Sequence, residues 1–408
     1  MKIISCSLSP NTEADDVRLA VRVLFSPRTW ERGDAVLHVE SWFTLRYGVN
    51  PVFFNSGRSA LLGILRAFDI GEGDEVLTQA FTCIAVPNSI RWAGAKPVYV
   101  DIDTSYNLDP RDFIQKITPR TKAVIIQHTF GIPAKLDIIC EAAKRHHLIV
   151  IEDCAHSLGA TYKGKMLGTW GDASFFSFGR DKGVSSVWGG AAMVSPKCKV
   201  ERAKIRIFQE KLAFPSKFWI AQQLLHPIAF SLILSSYNIY IGKILLVLLQ
   251  KINMLSLPVY PEEKRGERPN DFPSRFPNAL SRLLSLQLSK LDRYNDGRLT
   301  VADYYRQKLR GKPGIRLPAH SSESIYMRFP IEVENPARVR RCAQKKGVLL
   351  GNWYHSVIDP KGVSRKNAGY ESGSCPRAEE SAERILNLPT RISLKDAERV
   401  VSILLNCV

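Results

Sequence analysis

Residues 121–128 read as a strand with a continuous apolar centre, Ala-Val-Ile-Ile, and such a strand belongs in a parallel sheet covered on both faces. Shorter strand-like runs stand at 51–54, after the Gly71-Glu-Gly-Asp turn, at 95–103 and at 148–153, and an aromatic run begins at Ser174. Between them lie helical patterns at 57–68, from Ala80 onward and at 137–147, with two more before the first strand at 15–24 and 36–47. Strands alternating with helices at this spacing predict right-handed βαβ units, an α/β fold and a doubly wound, mostly parallel sheet. In such sheets ligands collect at the carboxyl ends of the strands. Toward the C-terminus the pattern changes. A helical stretch at 278–309 leads to a strand at 327–333, a helix at 336–346, a second strand at 348–355 and a helix at 375–386, which together predict a smaller α+β domain. The expected boundaries are 1–200 for the large domain, 201–275 for an apolar helical insertion with a Pro-rich loop, and 276–408 for the connecting helix and small domain.

The insertion breaks the pattern. From Phe218 to Gly242 there is no Asp, Glu, Lys or Arg, and after Lys243 comes Ile-Leu-Leu-Val-Leu-Leu-Gln. By count this could span a bilayer. Gln222, Gln223, His226, Pro227 and Ser235-Ser-Tyr-Asn make a poor spanning helix, however, and one crossing would put the two halves of the chain on opposite sides. Two readings stay open for 218–250. One is helical packing within the subunit or across a dimer; the other is peripheral contact with an anionic membrane leaflet, which the flanking Lys211, Lys217, Lys243 and Lys251 would suit.

Composition adds bounds. The 408 residues, 45% hydrophobic and 24% charged, are ordinary for a soluble chain with room for a large core. A net charge of +18 admits nucleic acid, an anionic membrane or anionic small substrates. The basic residues are scattered, with no recognition-helix, RNP or zinc-finger pattern, so nucleic acid is set aside. The eight cysteines lie far apart without a C-x-x-C pair, which argues against a metal site and leads us to expect reduced thiols. The first residues hold too short an apolar stretch for an export signal, so a cytoplasmic location is expected, with the inner face of the membrane as the variant that 218–250 allows.

Four places carry candidate chemistry. Lys182 follows the buried aromatic run, and a desolvated lysine favours the neutral amine that attacks carbonyls; taken alone it also reads as an exposed loop lysine. Asp153 ends a strand, where an acid could bind a metal, act as a base, pair with a cationic heterocycle or simply cap a helix. His156 lies three residues on. Gly57, Arg58 and Ser59 form a small-residue turn at a helix start, which is an anion seat or a plain cap.

Ordered together, these pieces resemble the DegT/StrS sugar aminotransferases of pyridoxal-phosphate fold type I. The match runs through Gly57-Arg-Ser-Ala-Leu, Gly73-Asp-Glu-Val, Gly94-Ala-Lys-Pro-Val-Tyr-Val-Asp-Ile-Asp, Glu152-Asp-Cys-Ala-His-Ser-Leu-Gly-Ala, Gly171-Asp-Ala-Ser-Phe-Phe-Ser-Phe and Gly189-Gly. The resemblance implies that pyridoxal 5′-phosphate is the cofactor, with Lys182 as covalent anchor and proton carrier and Asp153 holding the pyridine nitrogen protonated. It puts His156 beside the ring, and Ser177 at the phosphate with the N–H groups at Gly57, Arg58 and Ser59. The family often has a ring-stacking aromatic where this chain has Cys83, leaving Phe81 as a substitute. Arg275, in Pro273-Ser-Arg-Phe, stands where the family reaches a neighbouring subunit's cofactor phosphate, although the usual Asn is missing. His355 and Tyr354, with Trp353, are candidate substrate contacts. The implied activity is amino transfer from an amino acid, glutamate by family habit, to a nucleotide-linked keto sugar in polysaccharide or amino-sugar synthesis, by a homodimer. Related dehydratases carry histidine in place of the lysine, so Lys182 argues for transamination. A non-catalytic membrane-associated homologue is the alternative outside enzymology.

Overall fold

Seven strands form the central sheet of a computed structural model that describes residues 3–237, 241–319 and 321–408. They are β1 Val52–Phe54, β2 Glu75–Gln79, β3 Lys96–Val100, β4 Thr121–Gln127, β5 Ile149–Asp153, β6 Ala173–Ser177 and β7 Gly190–Val194. Their spatial order is 1-7-6-5-4-2-3. Strands β2 to β6 run parallel, while β7 is antiparallel to both of its neighbours. The apolar run in β4 is explained by its two faces. Val124 and Ile126 pack with Leu77 and Met193 on one side, and Ala123 and Ile125 with Val76 and Ile151 on the other. Full burial of each such aliphatic side chain contributes about 2 kcal/mol.

Helix α1, Gly57–Ala67, follows β1 directly. Ser56 caps it, its hydroxyl accepting from Ser59 N at 3.2 Å. Glycine is required where α1 meets the sheet. A Cβ on Gly57 would lie 2.9 Å from Ser177 Cβ, and one on Gly190 would lie 2.3 Å from the Ser56 carbonyl oxygen. Three strands are thus drawn together at one end of the sheet.

Helices α2, Lys217–Ser235, and α3, Ile241–Lys251, stand as a hairpin at the side of this domain, with Phe230 and Ile233 of α2 packed among Leu245, Leu246 and Leu249 of α3. Helix α4, Leu291–Leu309, then leads into the small domain. There β8, Phe329–Val333, pairs antiparallel with Ile315–Arg316 and with β10, Ile385–Leu388, beside helices α5, Pro336–Lys345, α6, Pro376–Arg384, and α7, Leu394–Leu405. The chain start joins this domain: Ile4–Ser5 pairs in parallel with Val348–Leu349. Strand β9, Ile358–Asp359, pairs in parallel with Thr82–Cys83 of the large domain.

Three expectations need correction. The strand expected over 348–355 is only Val348–Leu349; the rest turns away because Asn387 captures it, its side chain accepting from Trp353 N at 2.7 Å and donating to Trp353 O at 2.9 Å. The helix expected over 375–386 stops at Arg384, since Ile385, Leu386 and Leu388 are buried as strand β10. The cysteines are not all free thiols: Cys342 on α5 is bonded to Cys407 beyond α7. Packing of α5 against α7 brings their Cα atoms to 5.8 Å, inside the range a disulfide needs, and a separation of 65 residues gives no local signal of it. A Cys407→Ser variant is expected to lose about 2–4 kcal/mol of stability in denaturant melts under oxidising conditions and nothing under reducing ones. Equal midpoints in both buffers would show the bond to be energetically idle.

Candidate active site

The ends of β5 and β6, the start of α1 and the β9 segment close around a cavity of about 370 Å³. The turn after β6 carries Lys182 into it, and the backbone of that turn is fixed from outside. Asn11 Nδ2 donates to Lys182 O at 2.6 Å and to Gly183 O at 3.0 Å, and Arg298 Nη2 donates to Gly183 O at 2.6 Å and to Asn11 Oδ1 at 3.0 Å. The side chain itself is unpaired by any carboxylate among the described residues and rests 5.1 Å from the Trp353 ring centroid. Burial pushes its pKa down, against the opposing influence of Cys83 and Asp153 and with a smaller push from the Arg328 charge. The result favours a neutral, nucleophilic amine.

Asp153 ends β5 on the same cavity. One carboxylate oxygen accepts from Ala155 N at 2.9 Å. Burial raises its pKa, against the opposing influence of the Ala155 N–H and the Lys182 charge. It is a buried acid in need of a cation. Its neighbour Glu152 points the other way and is spent on structure, taking the N–H groups of Gly168, Trp170 and Gly171.

His156 presents a flat wall. Its Nδ1 accepts from Phe130 N at 3.2 Å, which leaves the proton on Nε2, 3.4 Å from the Tyr354 hydroxyl. Burial and the Lys182 and Arg328 charges hold its pKa well below the usual histidine range, so it stays neutral. Trp353 stacks on it at 5.5 Å with an interplanar angle of 14°. Trp353 and Tyr354 both line the cavity.

The candidate anion seat brings Ser177 together with Gly57 and Arg58 at the first turn of α1, whose N–H groups have no partner within the helix. Ser59 does not share it. Its N–H goes to Ser56 and its hydroxyl to Asn55 Oδ1 at 2.8 Å, so it completes the cap behind the cavity. The Arg58 guanidinium lies over Trp188 at 4.9 Å and Phe272 at 5.2 Å and pairs with Glu263. Phe81 is fully buried against Tyr106, Phe130 and Tyr354, one layer behind the wall, where Thr82 and Cys83 stand instead. His355 is turned away onto Asp359, 2.6 Å from its carboxylate, and Asp359 itself faces the cavity. Arg275 lies outside the cavity, bridged to Phe54 with its guanidinium 5.0 Å from the Phe214 ring.

Sequence reasoning missed several contributors. Gln127 accepts from the Thr82 hydroxyl at 2.6 Å on the cavity wall, and Arg328 lies 3.7 Å over Trp353, buried with Nε and Nη2 unpartnered. Asn11 and Arg298 act only through the lysine's backbone. None stands in a local motif. Gln127 alone had a signal, as the polar residue closing an apolar strand.

These residues fit pyridoxal 5′-phosphate on their own chemistry. An unpaired buried amine meets an aldehyde, a buried carboxylate meets a protonated ring nitrogen, a flat neutral imidazole meets a ring face, and a cradle that any Cβ at Gly57 would fill meets a phosphate. When bound, the cofactor supplies a carbon for amine exchange and a ring that accepts electrons.

The comparisons agree. The chain is 30% identical over 378 residues to the spore coat polysaccharide biosynthesis protein SpsC of Bacillus subtilis, covering 90% of this chain and 87% of that protein. It is 29% identical over 346 residues to a UDP-N-acetyl-3-dehydro-alpha-D-glucosamine 3-aminotransferase of Acidithiobacillus ferrooxidans, covering 84% and 79%. The solved structure of DesV from S. venezuelae superposes with a TM-score of 0.74 at 26% identity, over 96% of this chain and 94% of that one. The family model for DegT/DnrJ/EryC1/StrS aminotransferases matches residues 11–211 and 254–405, leaving out both helices of the α2–α3 hairpin. With the lysine, the acid and the anion seat in one cavity, the chain is a pyridoxal-phosphate-dependent enzyme that belongs to the DegT/DnrJ/EryC1/StrS aminotransferase family.

Proposed function

We propose that the enzyme moves an amino group from an amino acid, glutamate in the first instance, to a keto sugar carried on a nucleotide, as a cytoplasmic homodimer serving polysaccharide or amino-sugar synthesis. The observation that carries this is the buried Lys182 amine, without a carboxylate partner among the described residues, in the same cavity as the Asp153 carboxylate. In this role Lys182 Nζ takes the proton from the donor's Cα, and its fixed backbone lets the side chain swing without moving the turn. Asp153 keeps its negative charge against the ring nitrogen, which costs little once a cation is there. His156, neutral and stacked on Trp353, holds the ring plane and cannot compete for the proton. In a dimer Arg275, exterior to its own cavity, would serve the partner's phosphate.

The test is to incubate the purified enzyme with glutamate and a panel of nucleotide keto sugars and read product mass. A keto-to-amino mass change matched by 2-oxoglutarate supports the reading. Loss of water from a sugar without amination would assign the protein to the dehydratases instead, and the presence of lysine rather than histidine at 182 speaks against that.

A further inference from the structure

The hairpin that the family model omits has a surface the aminotransferase reaction does not use. Helix α3 is apolar on both sides. Leu245, Leu246 and Leu249 face inward onto α2, while Ile241, Ile244, Val247 and Leu248 are 57%, 68%, 51% and 51% exposed. Spacing by three and four places these four on one stripe. Ile252 just past its end and Leu232 on α2 are exposed as well, at 56% and 60%. An outward stripe of this kind on a folded chain marks a contact surface.

Charge selects the occupant. No Asp or Glu occurs between Glu210 and Glu262, a stretch that carries Lys211, Lys217, Lys243 and Lys251. Beside the hairpin opens a groove of about 1000 Å³ in which Tyr237 and Lys243 face Arg341, Lys345, Lys346 and Arg399 of the small domain, with no acid in its lining. Lys243 of α3 lines this groove, so the apolar stripe and the basic groove share one helix, and the pair matches a leaflet of anionic phospholipid, acyl region against the stripe and headgroups against the cations. A second copy of the chain would bring like charge to like across a symmetric contact.

The geometry also fixes the mode. At 11 residues α3 is about 16 Å long, too short to cross. Helix α2 has the length, at 19 residues, but 56% of its apolar window is buried in the protein. Its polar groups are engaged inside: His226 with Ser9 at 2.7 Å, Gln223 with Ser256 at 2.8 Å, and Gln222 with Asn253 Oδ1 at 3.1 Å. We infer that the α2–α3 hairpin docks the enzyme flat on an anionic phospholipid surface, with α3 seated in the interface and the groove at the headgroups. This is independent of which sugar is aminated.

The test is co-sedimentation of the full-length holoenzyme with vesicles of phosphatidylcholine alone or with roughly a third phosphatidylglycerol. Binding to the anionic vesicles, weakened by salt and weak or absent with phosphatidylcholine, is expected. Lys345→Gln and Lys346→Gln should each weaken it about fivefold. Ile244→Gln/Val247→Gln/Leu248→Gln, all at exposed positions, should weaken it at least about tenfold while leaving cofactor absorbance and light-scattering mass unchanged. Protein that stays in the supernatant with both vesicles overturns the inference, as does binding indifferent to these variants. A triple variant that dissociates the oligomer would assign the stripe to a contact between copies.

Discussion

A Lys182→Ala variant is expected to fold, to show no cofactor fixed by borohydride, and to transfer amino groups at least about 10⁴-fold more slowly. Folding should survive because the amine makes no ion pair among the described residues, so its removal orphans no paired carboxylate; the cost is that of a small cavity, about 1–3 kcal/mol. Chemistry should not survive, because in the proposed mechanism this residue both anchors the cofactor and carries the proton. Lys264 is the other amine lining the cavity, and it provides the internal control. Peptide mapping after borohydride must place the label on Lys182 in the wild type; label at Lys264 would remove the basis of the assignment. Added methylamine should restore part of the proton transfer in the variant, which a merely structural lysine would not allow.

The second large effect is at Asp153. An Asp153→Asn variant keeps the acceptor for Ala155 N–H but cannot carry the charge, so turnover is expected to fall about 10³-fold with weakened cofactor binding. Stability without cofactor should move the other way. The folded carboxyl has a pKa raised by burial above the ordinary 3.8, so it holds a proton where the unfolded chain has lost it. Stability from this group is therefore full below 3.8 and declines as pH rises through the raised folded value, above which the charge has to be buried. Asparagine has no such charge. The cofactor-free variant should melt no lower than wild type at pH 7, with its relative advantage shrinking toward pH 4. A clearly less stable variant at pH 7 would mean that a protein cation already serves Asp153.

The same residues show what a sequence can and cannot convey. The α/β class and the strand order's raw material were legible, because period and apolar continuity are local: β4 reads as a strand buried on both faces, and Val124 and Ala123 pack to opposite sides. Lys182, Asp153, Ser177, Gly57 and His156 were legible through their order along the chain, and the fold brings all five to one cavity. Residues whose meaning depends on distant partners were not. Ser59 belongs to the cap because Ser56 and Asn55 take its groups, Phe81 lies behind the wall because Tyr106 and Phe130 enclose it, and His355 turns away because Asp359 holds it. Asn11, 171 residues from Lys182, and the Cys342–Cys407 bond have no local pattern at all.

The clamp that Asn11 and Arg298 place on the backbone at Lys182 and Gly183 has a quantitative consequence. With its base immobile, the amine explores only the small volume that four methylenes can sweep, so the cofactor meets it at a high effective concentration whenever the two are apart. The methylamine concentration that half-restores the alanine variant measures that value directly. Loosening the clamp, with Asn11→Ala, should lower the apparent value without touching the amine itself.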